Sequence, residues 1–95
     1  MTEVPNVTHN PAAGQFEIRT GGGPAFLRYM LRGDTMDILH TEVADEYEGT
    51  GYGSALARAA LDHARASRLK VVPTCPFLRS YLDRHPEYAD LRAAS

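Results

Sequence analysis

Hydrophobic and polar positions alternate over the first half of the chain and switch to a spacing of three to four residues over the second. Val4 and Val7 suit a short first strand, followed by turn chemistry at Asn10-Pro11-Ala12-Ala13-Gly14. Phe16-Glu17-Ile18-Arg19 has the period of a half-buried strand. Gly21-Gly22-Gly23-Pro24 interrupts the pattern; because no helix follows it, a plain loop is expected rather than an anion site. Ala25 to Leu31 predicts the next strand, with Ala25, Leu27, Tyr29 and Leu31 on one face and Phe26, Arg28 and Met30 on the other. Arg32-Gly33-Asp34 is a tight turn, and Thr35 to Val43 returns as the antiparallel partner. Strict alternation places Met36, Ile38, His40 and Glu42 on one face of that strand, and Asp37, Leu39, Thr41 and Val43 on the other.

The period then changes. Ala57, Ala60, Leu61 and Ala64 fall on one side of a helix expected over Gly53 to Ser67, with Arg58, Asp62 and Arg65 on its polar side. A buried face made mostly of alanine lets this helix lie close to a sheet. Lys70-Val71-Val72-Pro73 is a short strand, its proline suited to an edge or an irregular end. Thr74-Cys75-Pro76 starts a second helix, with proline in its first turn and an apolar stripe of Phe77, Leu78, Tyr81 and Leu82. His85-Pro86 ends it, and Tyr88 and Leu91 are placed to pack back from the tail. The order predicts an α+β fold: a mixed, mostly antiparallel sheet built as a meander, then a strand-loop-helix-strand-helix half.

Length and charge narrow the classes. The 95 residues make one domain, 1–95, with a small core that a monomer or a homodimer could support. Lys+Arg 10 against Asp+Glu 12 gives a net charge of −2, no footprint for nucleic acid or an anionic membrane. No apolar run nears the ~20 residues of a membrane span, and Met1 to Asn10 lacks the apolar stretch of a signal peptide. A single cysteine, Cys75, has no internal disulfide partner, so a cytoplasmic location is expected. The four histidines are scattered and form no metal-ligand set, so no metal is expected.

Chemistry concentrates in Val43-Ala44-Asp45-Glu46-Tyr47-Glu48-Gly49-Thr50-Gly51-Tyr52-Gly53-Ser54. Gly49, Gly51 and Gly53 stand at every second position between a strand and a helix start. Glycine admits positive φ and close approach of a ligand, and a helix start offers unpaired N–H groups and partial positive charge. Together they suit a phosphate cradle. The same glycines also suit a turn that merely joins the two elements. A P-loop is excluded because no lysine follows Gly53, and the GxGxG spacing after a meander does not fit the dinucleotide fingerprint.

Glu48-Gly49-Thr50-Gly51-Tyr52-Gly53 resembles the pyrophosphate loop of GNAT acyltransferases, Gln/Arg-x-x-Gly-x-Gly/Ala, in the same strand-loop-helix setting. His40-Thr41-Glu42-Val43, Pro73-Thr74-Cys75-Pro76-Phe77 and His85-Pro86-Glu87-Tyr88 extend the resemblance to the very small, single-domain GNAT-like acetyltransferases, from about Phe16 to Leu91. The chain departs from the pattern at Glu48, where Gln or Arg is usual. A carboxylate pointing at a pyrophosphate is unfavourable, so main-chain N–H groups would carry the binding there.

The resemblance implies an acetyl-CoA donor and an amine acceptor, small molecule or peptide. It implies a V-shaped cleft where the strand before the loop parts from the next parallel strand. Cofactor-binding positions carried over are Thr41, Glu42 and Val43 for the pantetheine arm, and Glu48, Gly49, Thr50, Gly51, Tyr52, Gly53 and Ser54 for the pyrophosphate. A main-chain N–H near Thr41–Val43 would serve the oxyanion. His40 is the candidate base, since an imidazole titrates near ~6.5 in water. Cys75, beside a helix start that favours thiolate, is the second catalytic candidate, as acyl acceptor or as proton donor to the leaving sulfur. Its bland alternative is a small apolar packer. His9 and His63 are expected at the surface, His85 in a turn and Tyr81 in packing. The leading expectation is an acetyl-CoA-dependent N-acetyltransferase. The alternatives are a CoA or acyl-CoA binding module with little turnover, and a thiol sensor using Cys75, which lacks a resolving partner.

Overall fold

A computed structural model describes residues 6–93. Val4, expected in the first strand with Val7, lies outside the described residues. The strands are β1 (Val7–Asn10), β2 (Gln15–Ile18), β3 (Ala25–Arg32), β4 (Thr35–Val43) and β5 (Lys70–Pro73). They form one sheet in the order β1-β2-β3-β4-β5, antiparallel until the last pair, which is parallel. The longer helices are α1 (Tyr52–Ala66), which crosses over from β4 to β5, and α2 (Pro76–Arg84). Short 3-10 turns occupy Asp45–Tyr47 and Pro86–Leu91. The fold is the mixed α+β meander that the hydrophobic pattern predicts.

The core lies between one face of the sheet and the helices. Phe16, Ile18, Leu27, Tyr29, Met36, Ile38 and Val71 meet Leu56, Ala57, Ala60, Leu61 and Ala64 of α1, and Leu78, Tyr81 and Leu82 of α2. Leu27, Met36, Ile38, Leu56, Leu61 and Leu78 are fully buried, each contributing roughly 1.5–3 kcal/mol. The alanine face of α1 is what brings the helix this close to the strands.

One expectation fails inside β4. Arg28 pairs with His40, but its neighbour Tyr29 pairs with Ile38, so Leu39 is an additional residue on β4. Such a bulge reverses the inside-outside order beyond it. Met36 and Ile38 face the core before the bulge. After it Thr41, paired with the buried Leu27, faces the helices, and so does Val43. His40 and Glu42, paired with Arg28 and Phe26, turn to the uncovered face instead.

The end of α1 is closed without glycine. Leu69 N–H donates to Ala64 C=O at 2.8 Å and Arg68 N–H to Arg65 C=O at 3.2 Å, the pattern of a Schellman cap. Arg68 occupies its left-handed position with φ 58°. The tail is then tied down from two sides. Arg65 grips Asp90 through both carboxylate oxygens at 3.0 Å, and Ala93 N–H donates to Val71 C=O at 2.8 Å along the outer edge of β5. Tyr88 is buried and donates to Asp62 at 2.7 Å; burial, then the carboxylate beside it, pushes its phenol up to about 12.

His9 and His63 are not simple surface residues. His9 stacks on Phe16 with ring centroids 4.2 Å apart, meets Tyr29 hydroxyl at 2.5 Å, and lies 4.5 Å from the His63 ring of α1. Burial first, and the neighbouring His63 second, lower the His9 pKa below its ordinary value.

Candidate active site

β4 and β5 pair only from Thr35–Lys70 to Ile38–Pro73. The last tie is Cys75 N–H to Ile38 C=O, 2.9 Å. β4 then continues to Val43 against β3, while the chain of β5 turns away into α2. Pro73 and Pro76 make that turn economical, because neither requires a ladder donor. The two parallel strands therefore part like a V.

The second wall comes from the glycine turn. Gly51 is the N-cap of α1 with φ 88°, and Gly49 has φ 80°. No side chain caps the helix, its first turn has no acidic residue, and Ala55 N–H is the first to bond back, to Gly51 C=O at 2.9 Å. Among the described residues, the amides of Tyr52, Gly53 and Ser54 have no hydrogen-bond partner. A helix start with spare N–H groups favours an anion. Tyr47 stacks on Tyr52 at 5.2 Å and closes this end on one side.

A cleft of about 490 Å³ joins the strand gap to the helix start, within the ~300–1,000 Å³ range of ligand pockets. Thr41, Val43, Glu48, Gly49, Gly51, Tyr52, Gly53 and Ser54 line it, together with Tyr47, Phe77 and Arg84. Glu42 and Thr50 do not. Glu42 lies on the uncovered face beside His40, and the Thr50 hydroxyl donates to Tyr47 C=O within the turn. Cys75 sits behind the wall, buried, with its thiol 3.7 Å from the Thr41 hydroxyl. His40 is outside the cleft, 3.3 Å from the Glu42 carboxylate and packed edge-on to Phe26.

Sequence reasoning missed Tyr47, Phe77 and Arg84. Phe77 is reached only through tertiary packing: a Cβ on Gly53 would come within 3.1 Å of its ring. The available signal was the spacing of Phe77 and Arg84, seven positions or two turns apart on one side of α2. Glu46 lies outside the cleft lining. It accepts the Gly23 N–H at 3.1 Å and clasps the β2–β3 loop to the Asp45–Tyr47 turn.

Parallel strands that part beside an uncapped, glycine-lined helix start are the arrangement that the resemblance to GNAT acyltransferases implies. Comparison with known proteins gives the family. Residues 15–91 match the GCN5-related N-acetyl-transferase family. Protein NATD1 of Mus musculus is 37% identical over 83 residues, covering 84% of this chain and 76% of that protein. Protein NATD1 of Danio rerio is 35% identical over 89 residues, covering 88% and 81%. A GCN5-like protein from Staphylococcus aureus, solved by NMR in solution, superposes with a TM-score of 0.76 at 26% identity, over 97% of this chain and 91% of that one. The chain belongs to the GCN5-related N-acetyltransferase family and is an acetyltransferase of that type. No helix among the described residues is long and apolar enough to cross a membrane.

Proposed function

We propose that residues 1–95 act as one domain that transfers an acetyl group from acetyl-CoA to a primary amine. The observation that carries this reading is the continuous cleft from the parted strands to the unpaired amides of α1. Those amides fit a diphosphate. The β5-facing side of β4 beyond Ile38 fits the amide groups of a pantetheine arm, and Thr41 and Val43 line its path. Several N–H groups must act together, since one helix-terminus contact gives only ~0.3–1 kcal/mol at an exposed site.

The bulge divides the labour between two faces. Thr41 faces the donor cleft, with the Cys75 thiol behind its hydroxyl. The Thr41 hydroxyl, which accepts from the Cys75 thiol, is placed to donate a hydrogen bond to the departing sulfur, which leaves as the CoA thiolate and takes its proton from solvent. A buried Cys75 outside the cleft lining favours direct transfer over an acetyl-cysteine. His40, on the opposite face next to the gap, takes the proton of an amine approaching from that side, oriented by Glu42. Holding the two reactants in line supplies much of the rate, so a modest base suffices.

The test is thiol release from acetyl-CoA across a panel of amines, with calorimetry of acetyl-CoA binding alongside. Amine-dependent release is expected. Replacement His40→Ala should lower kcat about 10²-fold with acetyl-CoA affinity kept. Binding without release for any amine would favour a CoA-binding module, the reading that Glu48 on the cleft wall recommends. Absence of binding would end both.

A further inference from the structure

The cleft contains a cation that the loop does not supply. Where the family pattern has Gln or Arg, this chain has Glu48, so the glycine turn brings a carboxylate to the phosphate end of the cleft. Arg84, from the last turn of α2, lines the same cleft. Its Nε donates to Ser80 C=O at 3.4 Å, which leans the side chain back along α2, and among the described residues it makes no ion pair.

Geometry along α2 decides which phosphate it serves. Cys75, at the start of the helix, marks the gap between the strands, where the thioester belongs. Phe77 stands opposite Gly53 and so marks the amides of α1. Arg84 lies seven residues further on, roughly 10 Å along the axis at 1.5 Å per residue. A second, shallower groove, lined by Pro76, Phe77, Ser80, Asp83 and Arg84, adjoins the cleft there. Arg84 stands on the ridge shared by both. The amides are matched to a diphosphate. A ligand extending past them leaves its next phosphate, a monoester with up to two negative charges, without backbone donors.

Resting on the acetyl-CoA reading above, we propose that Arg84 recognises the 3′-phosphate of CoA and makes the protein select CoA over dephospho-CoA. Asp83, the carboxylate in the adjoining groove, lies 4.0 Å from Arg92, which draws its charge outward. Arg84 is exposed, so Arg84→Gln leaves the core intact.

Titration calorimetry of the full chain with CoA and with dephospho-CoA, for wild type and Arg84→Gln, tests this. Wild type should bind CoA about tenfold more tightly than dephospho-CoA, the scale of one charge-assisted contact. Arg84→Gln should bind CoA about tenfold more weakly than wild type and dephospho-CoA equally well. Unchanged CoA affinity in Arg84→Gln, or an equal loss for both ligands, would overturn the assignment while leaving the donor site standing. Failure of wild type to bind either ligand would overturn the donor site itself, and this assignment with it.

Discussion

Gly51 shows how a single residue is held to one identity by its backbone. With φ 88° it sits where an L-residue pays roughly 1–2 kcal/mol, yet nothing lies within 4 Å of where its Cβ would stand. The space is open; the conformation is not. We expect Gly51→Val to lower Tm and abolish acetyl-CoA binding. Asparagine tolerates the left-handed region, so Gly51→Asn should keep most of Tm and still weaken binding by crowding the amides. Unchanged affinity in both variants would remove the turn from the site. Arg68 is the opposite case, a bulky residue in the left-handed position of the α1 cap. Arg68→Gly should raise stability by about 0.5–1 kcal/mol, what remains after glycine's larger unfolded-state entropy. A thermal melt checks it, and an unchanged or lower Tm would refute the strain.

At the scale of elements, legibility follows how local the cause is. β3 could be read because Ala25, Leu27 and Tyr29 alternate with Phe26, Arg28 and Met30. α1 could be read because Ala57, Ala60, Leu61 and Ala64 share a side. Both patterns are set by backbone geometry within the element. The glycine turn was legible because positive φ leaves a mark in the sequence. The end of α1 was legible to within a residue from the apolar spacing, although Arg68 rather than glycine turns the chain. The bulge was missed because neither glycine nor proline marks it; its trace is Ile38 next to Leu39, followed by an apolar residue at odd-numbered Val43. The α2 wall of the cleft was missed because it depends on where a separate helix docks.

Packing between elements also makes stability depend on pH. His9 joins β1 to Tyr29 of β3 and to His63 of α1. Its pKa is lowered in the folded protein, chiefly by burial, so below about 6.5 the unfolded chain takes up the proton more readily. The stability is therefore full above that pH and declines as pH falls from about 6.5 toward the lowered value. Tm should drop between pH 7.5 and 5.5. In His63→Gln the drop should be smaller but still present, because burial remains the larger cause. Parallel Tm profiles for the two proteins would exclude the histidine contact.

For the whole molecule, the described helices all lie on one side of the sheet, and the cleft opens where β4 and β5 pair in parallel. The C-terminal segment holds this arrangement together: Arg65 and Lys70 both bond Asp90, and Ala93 runs beside Val71. What faces what in the reaction follows from Leu39. Were Leu39 instead paired with Arg28 in an unbroken ladder, His40 would fall opposite Leu27, and on the proposed reading an imidazole and a carboxylate would look into the thioester channel while a threonine met the incoming amine. On that reading, which side receives the donor and which the acceptor is set by one residue that stays out of the ladder, and flattening that kink with every residue kept, not removing a codon, is what would swap them.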